Sequence, residues 1–384
     1  MALFKTVVLH AQTHDPNGLQ EIKTRAKATH SDALIIMQDG KILHEDYFGQ
    51  KPHPIYIASA GKSLVALAIG VLLEKKLLDS LDQPVWTLFP EWKQGQKKNI
   101  TIRMLLNHTS GLQNNPNASI ELEPPPTYKV NNVVQLALAA EVTTTPGTKV
   151  DYNNKAVALL GGVIEKASGK RMDVFFKEEF FQPLGINDYD WIKDEKGNPT
   201  AHGAFVLTPR DFLKFGELVL NKGMFNSNKI LSEKFIQEAW KQGQPFNPLW
   251  GLLWWRLPKF EKRVIDEEIV NSWKNAGVDS TFIKQLKPLQ GTIFESKFDF
   301  FAALTKILGE NWNIILNEKL VGNVQSSKRI YSNEILAYYA DGFRGNYLVI
   351  IPEKKIVAVR CADNNDFNYT TDSFDEFVYL VAKL

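Results

Sequence analysis

Strand-like and helix-like apolar patterns are segregated along this chain. Residues 16–28 carry Leu19, Ile22 and Ala26 on one helical face. Leu34-Ile35-Ile36-Met37 and Ile42-Leu43 flank Gln38-Asp39-Gly40-Lys41. Asp-Gly between two apolar runs predicts a β-hairpin over Ala33–Gly49. Gly61 to Lys75 is apolar nearly all round, which predicts a buried helix. Residues 76–240 show mostly helical periodicity between turn clusters such as Pro124-Pro125-Pro126 and Thr145-Pro146-Gly147. A second buried helix is predicted from Asn154 to Ser168, ending at Gly169. Strand-like runs return at Ile335 to Ala340 and Tyr347 to Ile351. Pro352-Glu353-Lys354-Lys355 then turns the chain into Ile356 to Cys361, and an amphipathic helix is predicted from Asp372 to Leu384.

Strands at both ends and helices between them imply an α+β fold, with the terminal strands joining one antiparallel sheet flanked by helices. The expected domains are a sheet domain from residues 1–75 and 335–384, a mostly helical domain over 76–255, and a helical insertion over 256–334. The insertion is lysine-rich. Its aromatic residues, Trp273, Phe282, Phe294, Phe298, Phe300 and Phe301, need burial. About eighty residues are too many for a structureless loop in a compact domain. A folded helical subdomain is therefore expected, either beside the cleft, with Trp254 and Trp255 at its root and access to Ser59 narrowed, or as a decoration on the far face.

Composition narrows the function classes. The 384 residues are 44% hydrophobic and 23% charged, with a net charge of +2. That is an ordinary globular balance able to bury a core. No lysine- or arginine-rich run suits nucleic acid. Cys361 is the only cysteine, so no internal disulfide forms, and its apolar neighbours Ile356 to Val359 suggest a buried strand residue. His30, His44, His53, His108 and His202 are scattered, and neither His-Glu-x-x-His nor Cys-x-x-Cys occurs, so no metal is expected. The longest apolar run, Ser63 to Leu73, is well short of the roughly 20 residues of a membrane span. Met1 to Ala11 lacks a signal-peptide core. The expected location is cytoplasmic, or periplasmic if a leader has been removed.

Ser59-Ala60-Gly61-Lys62 opens the first buried helix. A spacing of three puts hydroxyl and amine on one helix face. Serine is a weak nucleophile without an adjacent base. Lysine supplies one from a dry site, because desolvation favours the neutral amine. The positive end of the helix favours a developing alkoxide. Taken alone, the same spacing also arises by chance in many helices.

Three further stretches change that reading. Leu105-Leu106-Asn107-His108-Thr109-Ser110-Gly111-Leu112, Pro146-Gly147 leading to Tyr152-Asn153-Asn154, and Gly342-Phe343-Arg344-Gly345-Asn346-Tyr347 follow in order. Together with Leu207-Thr208-Pro209-Arg210-Asp211, they resemble the serine β-lactamase and penicillin-binding-protein superfamily, over about residues 30–255 and 335–384. The resemblance implies a β-lactamase/transpeptidase-like fold, an antiparallel sheet flanked by helices plus an all-helical domain, and a cofactor-free serine hydrolase acting on a small ester or amide. Ser59 would be the nucleophile of an acyl-enzyme, and Lys62 and Tyr152 its general base and acid. Asn154 would orient Lys62 and the substrate. The backbone N–H groups of Ser59 and of Phe343, on the edge strand after Gly342, would form the oxyanion hole.

His108 belongs to a structural motif in this superfamily, so a buried, hydrogen-bonded role is expected. No Gly-x-Ser-x-Gly elbow occurs. Trp250, Trp254 and Trp255 are either core or, as in related esterases and nylon-oligomer hydrolases, cleft wall. In β-lactamases and D,D-peptidases the third motif reads Lys-Thr-Gly or His-Thr-Gly, and its cation holds the substrate carboxylate. Ala340-Asp341-Gly342 stands there in this chain. This favours the esterase and amidase branch, although Arg344 offers a compensating cation. The alternatives are D,D-peptidase or β-lactamase activity, and a catalytically silent relative that binds or scaffolds. No oligomeric state is implied.

Overall fold

The computed structural model describes residues 16–114, 130–320, 324–363, 367–368 and 371–384. The Pro124-Pro125-Pro126 cluster and the N-terminal stretch lie outside them. The chain divides into two compact units, one running to Leu257 and resuming at Ala337, the other Pro258–Leu336.

The first unit is built on a six-stranded sheet. Its order is Lys41–Asp46, Ala33–Gln38, Ile356–Cys361, Asn346–Ile351, Ile335–Gly342 and Trp255–Pro258. The first five strands pair with one another antiparallel. The three central strands, Ala33–Gln38, Asn346–Ile351 and Ile356–Cys361, are buried along their whole length. Cover on both faces explains why they read as continuous apolar runs rather than as alternation. The edge strand Lys41–Asp46 is polar and partly exposed, as an unpaired edge must be. On one side the Pro209–Leu220 helix packs on the central strands. The Phe377–Lys383 helix packs on Asn346–Ile351 and against the Pro16–Ala28 helix.

The Gly61–Glu74 helix is buried from Gly61 through Leu72 and packs against the Asn154–Ser168 helix. Side-chain caps fix where neighbouring helices begin. Asn153 Oδ1 accepts from the N–H groups of Lys155 and Ala156. Thr208 Oγ1 accepts from Asp211, and Thr101 from Met104. Each supplies an acceptor that the first helical turn lacks. Gly169, at φ +71°, closes the Asn154–Ser168 helix in the left-handed conformation.

Four expectations are corrected. The strand ending at Gly342 is not an edge strand, because Trp255–Pro258 lies outside it. The middle of the chain also contains a three-stranded sheet of Ile55–Tyr56, Phe205–Leu207 and Tyr189–Trp191. Short strands of two or three residues are too brief for periodicity to register. The last helix begins at Phe377 rather than Asp372.

The fourth concerns the second unit, which adds a small sheet to the expected helices. Glu261–Val264 is the centre of a three-stranded sheet with Ile293–Phe294 and Lys328–Tyr331. Helices Glu267–Asn275, Ser280–Gln285, Lys297–Leu308 and Trp312–Lys319 accompany it. Its own core gathers Ile265, Trp273, Phe282, Leu286, Phe300 and Leu304. Arg263 is buried beside Glu261 at 2.5 Å and lies over the Phe301 ring at 5.4 Å. The charged sequence Glu261-Lys262-Arg263 therefore conceals a strand, because its polar groups pair with each other rather than with water.

Candidate active site

Ser59 sits in a single tight turn, Ala58–Ala60, that runs directly into the Gly61–Glu74 helix. Ala58, the residue before it, has φ +51°. A non-glycine residue is rarely held there. His108, Leu253 and Arg344 are also in positive φ, at +61°, +58° and +67°. His108 and Leu253 line the cavity containing Ser59. Positions held in such sparsely populated conformations recur at functional sites.

Lys62 brings the predicted base to the hydroxyl. Its Nζ lies 2.7 Å from Ser59 Oγ and donates to the His202 carbonyl at 2.6 Å. Only 3% of Lys62 is exposed. The ammonium also stands 5.1 Å from the centre of the Tyr152 ring. Tyr152, at 37% exposure, forms part of the rim. Ser59, Lys62 and Tyr152, separated by up to 93 positions, thus meet in one place.

The loop carrying Tyr152 is held by the His108 motif. Asn153 N–H donates to His108 Nδ1 at 3.1 Å, and Asp151 N–H to the His108 carbonyl at 2.8 Å. Nδ1 is therefore an acceptor, and a neutral His108 carries its proton on Nε2. Burial, reinforced by the charge of Lys62, pushes the His108 pKa down to about 3. The same two causes, in the same order, bring His202 to about 3. Both imidazoles are neutral across ordinary pH. The His108 ring packs 4.7 Å from Tyr152 and 5.4 Å from Trp250.

The opposite wall is the strand end at Asp341–Gly342 and the turn that follows it. A Cβ on Gly342 would stand 2.3 Å from the Ile57 carbonyl and 3.0 Å from the Ala60 nitrogen. Glycine alone lets this strand touch the turn that carries Ser59. Asn346 Nδ2 donates to the Phe343 carbonyl at 2.7 Å and to that of Ala362 at 3.2 Å, while its Oδ1 accepts from Ala362 N–H at 2.9 Å. Arg360, fully buried, donates to the carbonyls of Arg344 at 2.6 Å and Gly345 at 2.9 Å. It also reaches those of Thr29 at 2.9 Å and Asp372 at 2.7 Å. Burial lowers its pKa to about 10, so it stays cationic at neutral pH. Phe343 is 49% exposed at the tip.

Two expected contacts are replaced by others. Lys62 is held by the His202 carbonyl rather than by Asn154, and among the described residues the buried Asn154 Oδ1 has no hydrogen-bond partner. Arg344 pairs with Asp363 at 2.7 Å and does not line the Ser59 cavity. Asp341 does line it, together with Trp250, Trp254 and Trp255. Sequence reasoning missed Asn346, Arg360 and His202. The first two act through long-range contacts, and His202 acts through a carbonyl that any residue supplies.

The Beta-lactamase family profile matches residues 19–369. This chain belongs to the Beta-lactamase family. It is 30% identical over 169 residues to penicillin-binding protein 4* of Bacillus subtilis (strain 168), covering 40% of this chain and 36% of that protein. It is 28% identical over 156 residues to the esterase EstB of Burkholderia gladioli, covering 36% and 38%. The chain spans less than half the length of the curated relatives it matches. A penicillin-binding protein structure from Bacillus halodurans superposes with a TM-score of 0.59 at 18% identity, over 96% of this chain and 100% of that one. That likeness places the α+β architecture in the Beta-lactamase fold. No helix among the described residues is long and apolar enough to cross a membrane, and the same residues hold no cluster suited to a metal ion.

Proposed function

We propose that this protein is a serine hydrolase that cleaves a small ester or amide through an acyl-enzyme on Ser59. The observation that carries the reading is the 2.7 Å contact between Lys62 Nζ and Ser59 Oγ in a site that excludes water from the lysine. In its neutral form Lys62 accepts the Ser59 proton as Oγ attacks the acyl carbonyl. Tyr152, over the same amine, passes that proton to the leaving group. Water then enters, and the same pair deprotonates it to release the acid. The backbone N–H groups of Ser59 and Phe343 stabilise the tetrahedral oxyanion, with Gly342 setting the distance between their two segments. Asn154 Oδ1, a buried acceptor without a partner among the described residues, is suited to accept the N–H of an amide substrate.

Asp341 in the cavity wall argues against recognition of a carboxylate, and with it against β-lactam or D-alanyl peptide specificity. A panel of p-nitrophenyl esters, nitrocefin and D-alanyl-D-alanine peptides tests this. Short esters should exceed the carboxylate-bearing substrates at least tenfold in kcat/KM, about 1.4 kcal/mol of transition-state preference. The reverse order would overturn the assignment. Absence of all turnover in protein that also resists fluorophosphonate labelling would favour a silent binding role.

A further inference from the structure

The turn from Trp250 to Trp255 forms part of the Ser59 cavity, and Ser63, Leu253 and Trp254 all stand in its wall. Among the described residues the cavity volume is about 20 Å³, room for about one water molecule. The size of acyl group that fits beside Ser59 therefore depends on how firmly this turn is held.

Leu253 has φ +58°, a conformation that a residue with a bulky side chain rarely adopts. Such a residue stays there only where its surroundings over-determine it. Both of its backbone groups are engaged. Its N–H donates to the Leu106 carbonyl at 3.0 Å, and its carbonyl accepts from Ser63 Oγ at 2.6 Å. The first bond is between backbone groups that any pair of residues supplies. The second needs a hydroxyl at position 63. Ser63 is 2% exposed and Leu253 8%, so the bond is sheltered from water. A helical serine commonly returns its hydroxyl to the carbonyl four residues earlier, which here is that of Ser59. Ser63 instead reaches out of its own helix to the turn. The peptide it holds leads directly into Trp254, which is buried. Backbone bonds tie the rest of the turn, from Leu252 N–H to the Ala239 carbonyl and from Gly251 N–H to the Trp254 carbonyl, both at 2.9 Å. Lys62 and Ser63 are consecutive, so one helix places the proposed base and fixes the peptide before Trp254.

From this we infer that Ser63 is a positioning residue, which holds Trp254 in the cavity wall and so restricts Ser59 to short acyl groups. The inference rests on the hydrolase reading above. Without the hydroxyl, the buried Leu253 carbonyl loses its donor. The left-handed backbone then relaxes, the Trp254 indole moves, and the cavity opens to longer chains. The Ser63 hydroxyl takes no part in bond making or breaking.

The test compares kcat/KM for p-nitrophenyl acetate and p-nitrophenyl octanoate. Wild-type protein should favour the acetate. Ser63→Ala should raise the octanoate-to-acetate ratio at least tenfold, and Ser63→Thr, which keeps the hydroxyl, should retain the wild-type ratio. General loosening of the fold lowers both rates together and leaves the ratio unmoved. An unchanged ratio in Ser63→Ala overturns the inference, as does a shift in Ser63→Thr equal to that in Ser63→Ala. Fluorophosphonate labelling of Ser59 in wild-type protein is measured in parallel. Labelled, ester-cleaving protein whose ratio does not respond to Ser63→Ala removes this inference alone. Absence of both labelling and turnover removes the hydrolase reading, and this inference with it.

Discussion

The two walls of the Ser59 cavity are built by different means. One wall is helical and local. Ser59 and Lys62 share a helical face because they are three residues apart, and Tyr152 precedes the Asn153 cap of another helix. The other wall is a strand end and a turn held from a distance. Asn346 ties Phe343 to Ala362, and Arg360 ties Arg344 and Gly345 to Thr29 and Asp372. The first wall supplies the groups proposed to react. The second supplies backbone geometry and charge. The difference is that the proposed reacting groups are specified by short motifs, whereas the proposed oxyanion-binding turn needs support from remote parts of the sequence.

Substitutions that attack each wall should separate these roles. Lys62→Met removes the proposed base and leaves a side chain of similar length. It should lower kcat/KM for a p-nitrophenyl ester by about 10³-fold or more, measured in steady state, with thermal stability maintained or raised. A loss of under tenfold would mean that the helical wall does not supply the base. On the strand wall, Gly342→Ala sets a methyl group 2.3 Å from the Ile57 carbonyl, and backbone must move. It should cost about 10²-fold in kcat, as removal of an oxyanion donor does. Asn346→Ala should cost less, about tenfold, by loosening Phe343. In both, KM should change by under about threefold, because the lost interaction belongs to the transition state. A rise in KM at constant kcat would make the turn a binding element instead.

The smallest effect concerns pH. Folding holds His108 and His202 near a pKa of 3, against an ordinary value of 6.5. Between those values the unfolded chain binds protons that the folded chain does not. Stability therefore rises with pH across that window and falls on acidification below about 6.5. Each histidine should contribute a loss on the order of 2 kcal/mol by pH 5, from roughly 1.4 kcal/mol per pH unit. Urea unfolding at pH 7 and pH 5 measures it, and His202→Gln should flatten the dependence. The same neutrality means that neither imidazole should produce a limb in the activity profile between pH 5 and 9.

What was legible in the sequence follows this division. The hairpin at Asp39-Gly40, the Asn154–Ser168 helix and the Ser59, Lys62 and Tyr152 set were all visible, because each depends on residues near one another or on a motif. The runs Tyr347 to Ile351 and Ile356 to Cys361 were also visible as strands, the second with a buried Cys361. Trp255–Pro258 was not, since four residues including a proline give no clear period. Its omission made the Gly342 strand look like an edge. The sheet around Glu261–Val264 was hidden by charge that the fold neutralises internally. Asn154 was assigned to Lys62 by motif, whereas His202 fills that place through a backbone carbonyl. Arg344 looked available to a substrate until its partner Asp363, nineteen residues on, came into contact.

The account stands on Ser59 forming a covalent acyl intermediate, and intact-protein mass spectrometry reads this directly. Wild-type protein quenched in acid during turnover of a slow p-nitrophenyl ester should gain the mass of one acyl group, mapped by peptide analysis to the segment containing Ser59. Ser59→Ala should gain none. Turnover of the ester by wild-type protein with no adduct, or with the adduct on another residue, would contradict the account.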